Sequence, residues 1–141
     1  MRKYRITVWL YSVLLVLIAP VTFAATPSKI GSAAYFVSPS HGEVVSSPFK
    51  VRFGLVGMGV APAGVAVSET GHHHLLIDVP SPDLHDPVPK DEQHLHFGNG
   101  QTETELDLPP GKHTLQLLLA DQDHIPHKPA VVSRQIIIYV E

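Results

Sequence analysis

The chain has no cysteine. That excludes a disulfide framework, a thiolate metal site, a cysteine nucleophile and a lipid-modified N-terminal Cys. Charge is sparse, at 16% of 141 residues, while 44% are hydrophobic. This balance excludes a long disordered polyampholyte and suits a packed core. Positive charge is scarcest where a polyanion would need it. Arg2, Lys3 and Arg5 lie in the first 24 residues, which leaves seven basic against thirteen acidic residues downstream, a net of −6. Such a surface has no electrostatic reason to bind nucleic acid. There is no G-x-S-x-G elbow, so a hydrolase triad is disfavoured. Gly57, Gly59 and Gly64 lack phosphate-cradle spacing and read as loop glycines. What the chain has in excess is histidine, ten residues, and proline, thirteen.

Residues 1–24 read as an address. A basic start precedes an apolar run over 13–19, Pro20 breaks it, and Thr22-x-Ala24 offers small residues for cleavage. This is the three-part pattern of a secretory signal, and the apolar run is too short to span a bilayer comfortably. The expectation is a signal peptide over 1–24 and a single domain over 25–141, periplasmic, monomeric and free of the membrane after cleavage.

Downstream, no window has a helical period, and short apolar runs are bounded by Pro and Gly. Strands are expected at 33–37, 49–55, 72–79, 95–97, 102–108, 113–120 and 131–140. Phe49, Val51, Phe53 and Leu55 alternate with Lys50, Arg52 and Gly54, as in a half-buried strand. Residues 80–93, with four prolines, read as a long surface loop. About seven strands in one domain imply an all-β fold, an immunoglobulin-like Greek-key β-sandwich. The turn L-P-P-G-x-H resembles the E–F corner of such folds. It puts His113 near the place where a corner tyrosine bonds back to the backbone.

Chemistry points to the histidines. They cluster in G-H-H-H-L-L (71–76) and H-L-H-F-G (94–98). Residues i and i+2 of a strand share a face, about 6.5–7 Å apart. His72 with His74, and His94 with His96, can therefore each present two imidazoles. Two such pairs on adjacent strands could close a four-nitrogen site. The candidate metal ligands are His72, His74, His94, His96, His113 and His124. Imidazole donors without thiolate favour a divalent ion, Cu or Zn. Asp121, Asp123 and His127 lie close to His124 in sequence, and His124-x-x-His127 is expected in a loop. Asp78 could orient an imidazole from behind. Other positions have plainer readings. His73 shares parity with Leu75, Ile77 and Val79, so it should face the core and be satisfied by backbone. His41 and His85 read as solvated loop residues, and Glu103 and Glu105 as water-facing. Leu76 shares the face of His72 and His74, so that face is not cleanly polar.

The segments S-P-S-H-G-E-V-V-S-S-P-F (38–49), G-M-G-V-A-P-A-G (57–64), G-H-H-H-L-L-I-D (71–78), H-L-H-F-G-N-G-Q-T-E-T (94–104), L-P-P-G-K-H-T-L-Q-L (108–117) and D-Q-D-H-I-P-H (121–127) resemble a bacterial exported family, domain-of-unknown-function family 4399. The resemblance covers essentially all of 25–141. It implies one exported domain whose histidine segments belong to the family pattern, and no activity.

The sequence therefore supports an exported, non-enzymatic protein whose partner is a divalent metal ion. The alternative is a non-catalytic interaction module, with envelope proteins as candidate partners and the histidines forming a structural hydrogen-bond network. A metalloenzyme with an open coordination position is a lesser reading.

Overall fold

A computed structural model describes residues 24–141. The segment read as a signal, apart from Ala24, lies outside the described residues. Among the described residues ten strands form: β1 (Ala33–Ser38), β2 (Val44–Val45), β3 (Phe49–Val56), β4 (Gly59–Val60), β5 (Thr70–Ile77), β6 (His94–His96), β7 (Glu103–Leu106), β8 (Gly111–Ala120), β9 (Pro126–Val132) and β10 (Ile136–Val140). The fold is all-β, as expected. One sheet has the order β1-β3-β7. The other runs β2-β10-β8-β5-β4, with β6 also paired to β5 and β9 to β8. In immunoglobulin terms β1, β3 and β7 take the places of strands A, B and E, and β5, β8 and β10 those of C, F and G.

The alternation in β3 positions it between core and solvent. Phe49, Val51 and Phe53 are buried while Lys50 and Arg52 are exposed. Those two cations meet the exposed Glu103 of β7 at 3.2 and 3.3 Å. Between the sheets, the β3 side chains pack on Leu75 and Ile77 of β5, Leu115 and Leu117 of β8, and Ile136, Ile138 and Val140 of β10. Each fully buried leucine in such a layer contributes roughly 2 kcal/mol.

Strand β5 departs from simple alternation, since every residue from Gly71 to Ile77 is buried. The cause lies outside the sandwich. Leu84 and Val88, from the proline-rich segment expected as a surface loop, fold over the outer face of the larger sheet. There they pack with Leu76, Leu118 and Ala120 as a second apolar cluster. Both faces of β5 are therefore covered. His73 points inward, its ring centroid 5.2 Å from that of Phe53, while His72 and His74 point outward with Leu76.

Two expectations are corrected. The closing strand over 131–140 is two strands, β9 and β10, both paired with β8. Between them Ser133 replaces part of the ladder with its hydroxyl, which accepts the Leu117 N–H at 2.8 Å. His73 does face the core, but it is not satisfied by backbone: neither ring nitrogen has a hydrogen-bond partner.

Candidate metal centre

The antiparallel register of β5 and β6 sets His96 directly across from His74. His72 stands two residues before His74 on the same face. A fourth ring, His124, comes from the turn between β8 and β9. The centroid of His72 lies 4.9 Å from those of His74, His96 and His124. The remaining pairs are His96–His124 at 4.8 Å, His74–His96 at 5.2 Å and His74–His124 at 5.9 Å. The rings meet through their outer nitrogens. His72 Nε2 and His74 Nε2 are 3.1 Å apart, and so are His96 Nε2 and His124 Nε2. His72, His74 and His96 each offer a ring nitrogen within 4.8 Å of the others, a grouping able to hold a metal ion.

The turn that delivers His124 is built around a buried carboxylate. Asp121 Oδ1 accepts the backbone N–H groups of Asp123 (2.9 Å) and Ile125 (3.0 Å). Its Oδ2 accepts the hydroxyl of Thr26 at 3.1 Å. His124 takes a left-handed backbone conformation, φ 68°, which is uncommon for a side chain of its size. Its own N–H bonds to the Asp121 carbonyl at 3.0 Å, and its carbonyl accepts Val88 N–H at 2.9 Å. These bonds hold the turn against the strain and fasten the covering loop to it.

Burial sets the charge state. His72 and His74 are 0% and 1% exposed. Burial, reinforced by the neighbouring histidines, pushes His72 down to about 4 and His74 to about 2. His96 is lowered by burial and then by His124 and Lys90. Near neutral pH these three rings are therefore uncharged and keep a lone pair, the state a metal ligand requires. The Nδ1 atoms of His72 and His74 have no hydrogen-bond partner, so packing fixes their rings. The cluster forms part of the wall of a cavity of about 400 Å³. A larger cavity of about 540 Å³ near Thr26 and Thr70 contains only one imidazole, that of His127, and no such convergence.

Of the six candidate ligands, the structure brings together His72, His74, His96 and His124, and places His94 and His113 elsewhere. His94 Nδ1 donates to Asp91 Oδ1 at 2.7 Å. Asp91 also caps the backbone of Gln93 and His94, so the turn three residues upstream claims that ring. His113 donates from both nitrogens, to Asp78 Oδ2 at 2.7 Å and to the Pro109 carbonyl at 2.9 Å. Only the cation satisfies both acceptors, and it offers no lone pair to a metal. Partial burial disfavours that cation, but the Asp78 and Pro109 bonds outweigh it and raise the His113 pKa. The bond to Pro109 is the backward link expected of the E–F corner, made by histidine. Asp78 does orient an imidazole, though that of His113. The expectation of a loop over His124-x-x-His127 holds for His124 only: His127 lies in strand β9, where it is buried and bonded through Nδ1 to Thr26 Oγ1 at 2.8 Å, apart from the four-ring cluster. His41 and His85 are exposed, and His41 Nδ1 accepts the Ile137 N–H at 3.2 Å.

Sequence reasoning missed the cavity, whose wall Lys90 shares with His96, and Gly98, which packs under the His96 ring. The G-N-G spacing after His96 was visible, but nothing in it indicated what lay above Gly98.

Fold and site together define an all-β sandwich protein with a histidine cluster able to hold a metal ion. Residues 51–141 match the family described as "Domain of unknown function (DUF4399)", and the chain belongs to that family. No curated protein matches it. Among solved structures, an endo-beta-1,4-mannanase from Thermotoga petrophila is similar at a TM-score of 0.46 and 18% identity, over 78% of this chain. The match spans about a fifth of that enzyme's chain, 20%.

Proposed function

We propose that this is an exported, periplasmic protein that binds one divalent metal ion, Cu or Zn, through His72, His74, His96 and His124, and has no catalytic activity of its own. The observation that carries the reading is the paired approach of four imidazoles through Nε2, at 3.1 Å within each pair. A tetrahedral zinc site with Zn–N bonds of 2.0–2.1 Å spaces its nitrogens about 3.3–3.4 Å apart. Within each pair the nitrogens already stand within a few tenths of an ångström of that spacing, and holding one ion between the pairs requires the two pairs to draw together. Four neutral nitrogen donors without sulfur suit Zn or Cu(II). Export rests on the pattern of residues 1–24.

The same contacts fit a second reading, in which each pair is an N–H···N hydrogen bond and the cluster only shapes the fold. One experiment separates the two. Untagged protein is purified, its metal content is measured, and zinc and copper are titrated into the metal-free form by calorimetry. Metal binding at one equivalent, lost when His72, His74, His96 and His124 are replaced together by Ala, supports the metal site. Equal affinity in that variant leaves the structural network.

A further inference from the structure

The four-ring cluster is not sealed. His74, His96 and His124 face the cavity of about 400 Å³, whose wall also includes Val88, Lys90 and Asp123. A purely structural tetrahedral ion is enclosed by its ligands, whereas an ion beside a cavity can accept another ligand and become five-coordinate. The contents of the wall say what that ligand would be. Neutral imidazoles leave a bound dication with both its charges. Lys90 adds a positive charge to the wall it shares with His96. Asp123 removes one charge, and its carboxylate is engaged by Gln122 Nε2 at 2.9 Å. The cavity of the loaded protein is then cationic overall. It is also far larger than a water molecule, and Val88 gives it an apolar side.

From this we propose that the metal-loaded site takes a small carboxylate as an additional ligand, one oxygen on the ion and the charge balanced by Lys90. This rests on the metal-binding reading above and assigns the cavity next to it. Lys90 and Asp123 act on the anion with opposite signs, which gives the site an electrostatic signature. Unit charges a few ångströms away in a partly solvated cavity change anion affinity by roughly three- to tenfold.

The test uses the whole processed chain loaded with cobalt(II), whose visible absorption changes on passing from four to five ligands. Acetate, and azide as a stronger monoanion, are titrated at fixed ionic strength. The expected result is saturable spectral change with both. Lys90→Gln weakens each anion about three- to tenfold, Asp123→Asn strengthens each by a similar factor, and both variants are compared at saturating cobalt. If cobalt binds and neither anion alters the spectrum up to about 100 mM, the ion is closed off and the proposal fails, while the metal site stands. If the anions bind equally well to both variants, the cavity is not where they bind, and the proposal also fails. If no cobalt binds, the metal reading itself falls and this inference with it.

Discussion

His96 Nε2 lies 3.1 Å from His124 Nε2, although the two residues are 28 positions apart and belong to different kinds of element. One is fixed in a strand ladder, the other in a turn with left-handed backbone geometry. The contact makes the cluster a property of the tertiary fold, and it separates two histidines that look alike in sequence. His94 belongs to the H-x-H motif, yet its ring is held by Asp91.

His124→Ala should therefore weaken zinc or copper binding by at least about tenfold, while His94→Ala should leave it within about twofold. Calorimetric titration of the two single variants checks this. A loss in His94→Ala with none in His124→Ala would mean that the strand motif, and not the converged cluster, holds the ion.

Asp121 is the next point of leverage. It is 1% exposed and accepts three hydrogen bonds, from Thr26, Asp123 and Ile125. Asp121→Ala leaves those donors without their acceptor in a buried turn, a cost of about 2–4 kcal/mol. It should also misplace His124. Groups that orient metal ligands from behind typically change affinity 10- to 100-fold, and a loss in that range is expected. Urea unfolding and metal titration on the same variant read both effects. A stability loss with full metal affinity would show that the turn holds its shape without the carboxylate.

Much of this was legible in the chain. Strict alternation in 49–55 pointed to β3, because only one face of that strand meets the core. The parity of 72–76 correctly separated His73 from His72 and His74. The P-P-G-x-H turn indicated the corner role of His113. The rest depended on contacts between distant segments. Leu76 marked the outer face of β5 as partly apolar, which the structure bears out, but the sequence does not say that Leu84 and Val88 fold over it. The expected strand over 131–140 breaks after Val132, where the Ser133 hydroxyl accepts the Leu117 N–H. The diversion of His94 did leave a local trace, Asp91 three residues upstream, which is the spacing of an Asx turn. The partnership of His124 with His96 left none.

Acid should destabilise the metal-free protein. Burial holds His72 and His73 down at about 4 and His74 at about 2, against 6.5 for a free imidazole. Below pH 6.5 the unfolded chain takes up protons that these native rings refuse. Their contribution is thus complete above 6.5 and is lost as pH falls, toward about 4 for His72 and His73 and about 2 for His74. A ring whose pKa is one pH unit lower in the folded protein than in the unfolded chain contributes about 1.4 kcal/mol. Three such rings together should therefore cost the fold several kcal/mol between pH 6.5 and 5. His113 works in the opposite sense. Its pKa is raised, so its smaller contribution is complete below 6.5 and is lost as pH rises through the native value. Urea midpoints measured from pH 8 to 5 should fall on the acid side, and saturating zinc should lift the curve at neutral pH by mass action. A flat profile would mean that the buried rings titrate as they do in water.

The narrowest test of the site is at Gly98. A methyl group there would lie 2.2 Å from Cε1 and 2.6 Å from Nε2 of the His96 ring, closer than atoms in contact can approach. The φ of Gly98 is not in the left-handed region, so alanine meets no backbone strain there, and the ring is the nearest obstacle. His96 is only partly buried and can swing away, which relieves the clash at small cost to the fold. Swinging, however, takes Nε2 out of the cluster. Gly98→Ala should therefore keep its urea midpoint close to that of the unmodified protein, with a loss of no more than about 1–2 kcal/mol, the scale of a rotamer adjustment or mild overpacking. Its metal affinity should drop at least tenfold. The pairing of a nearly intact fold with a damaged site is informative because a general folding defect cannot produce it. If Gly98→Ala binds metal as tightly as the parent, His96 is not a ligand, and the ion is held by a different set of donors.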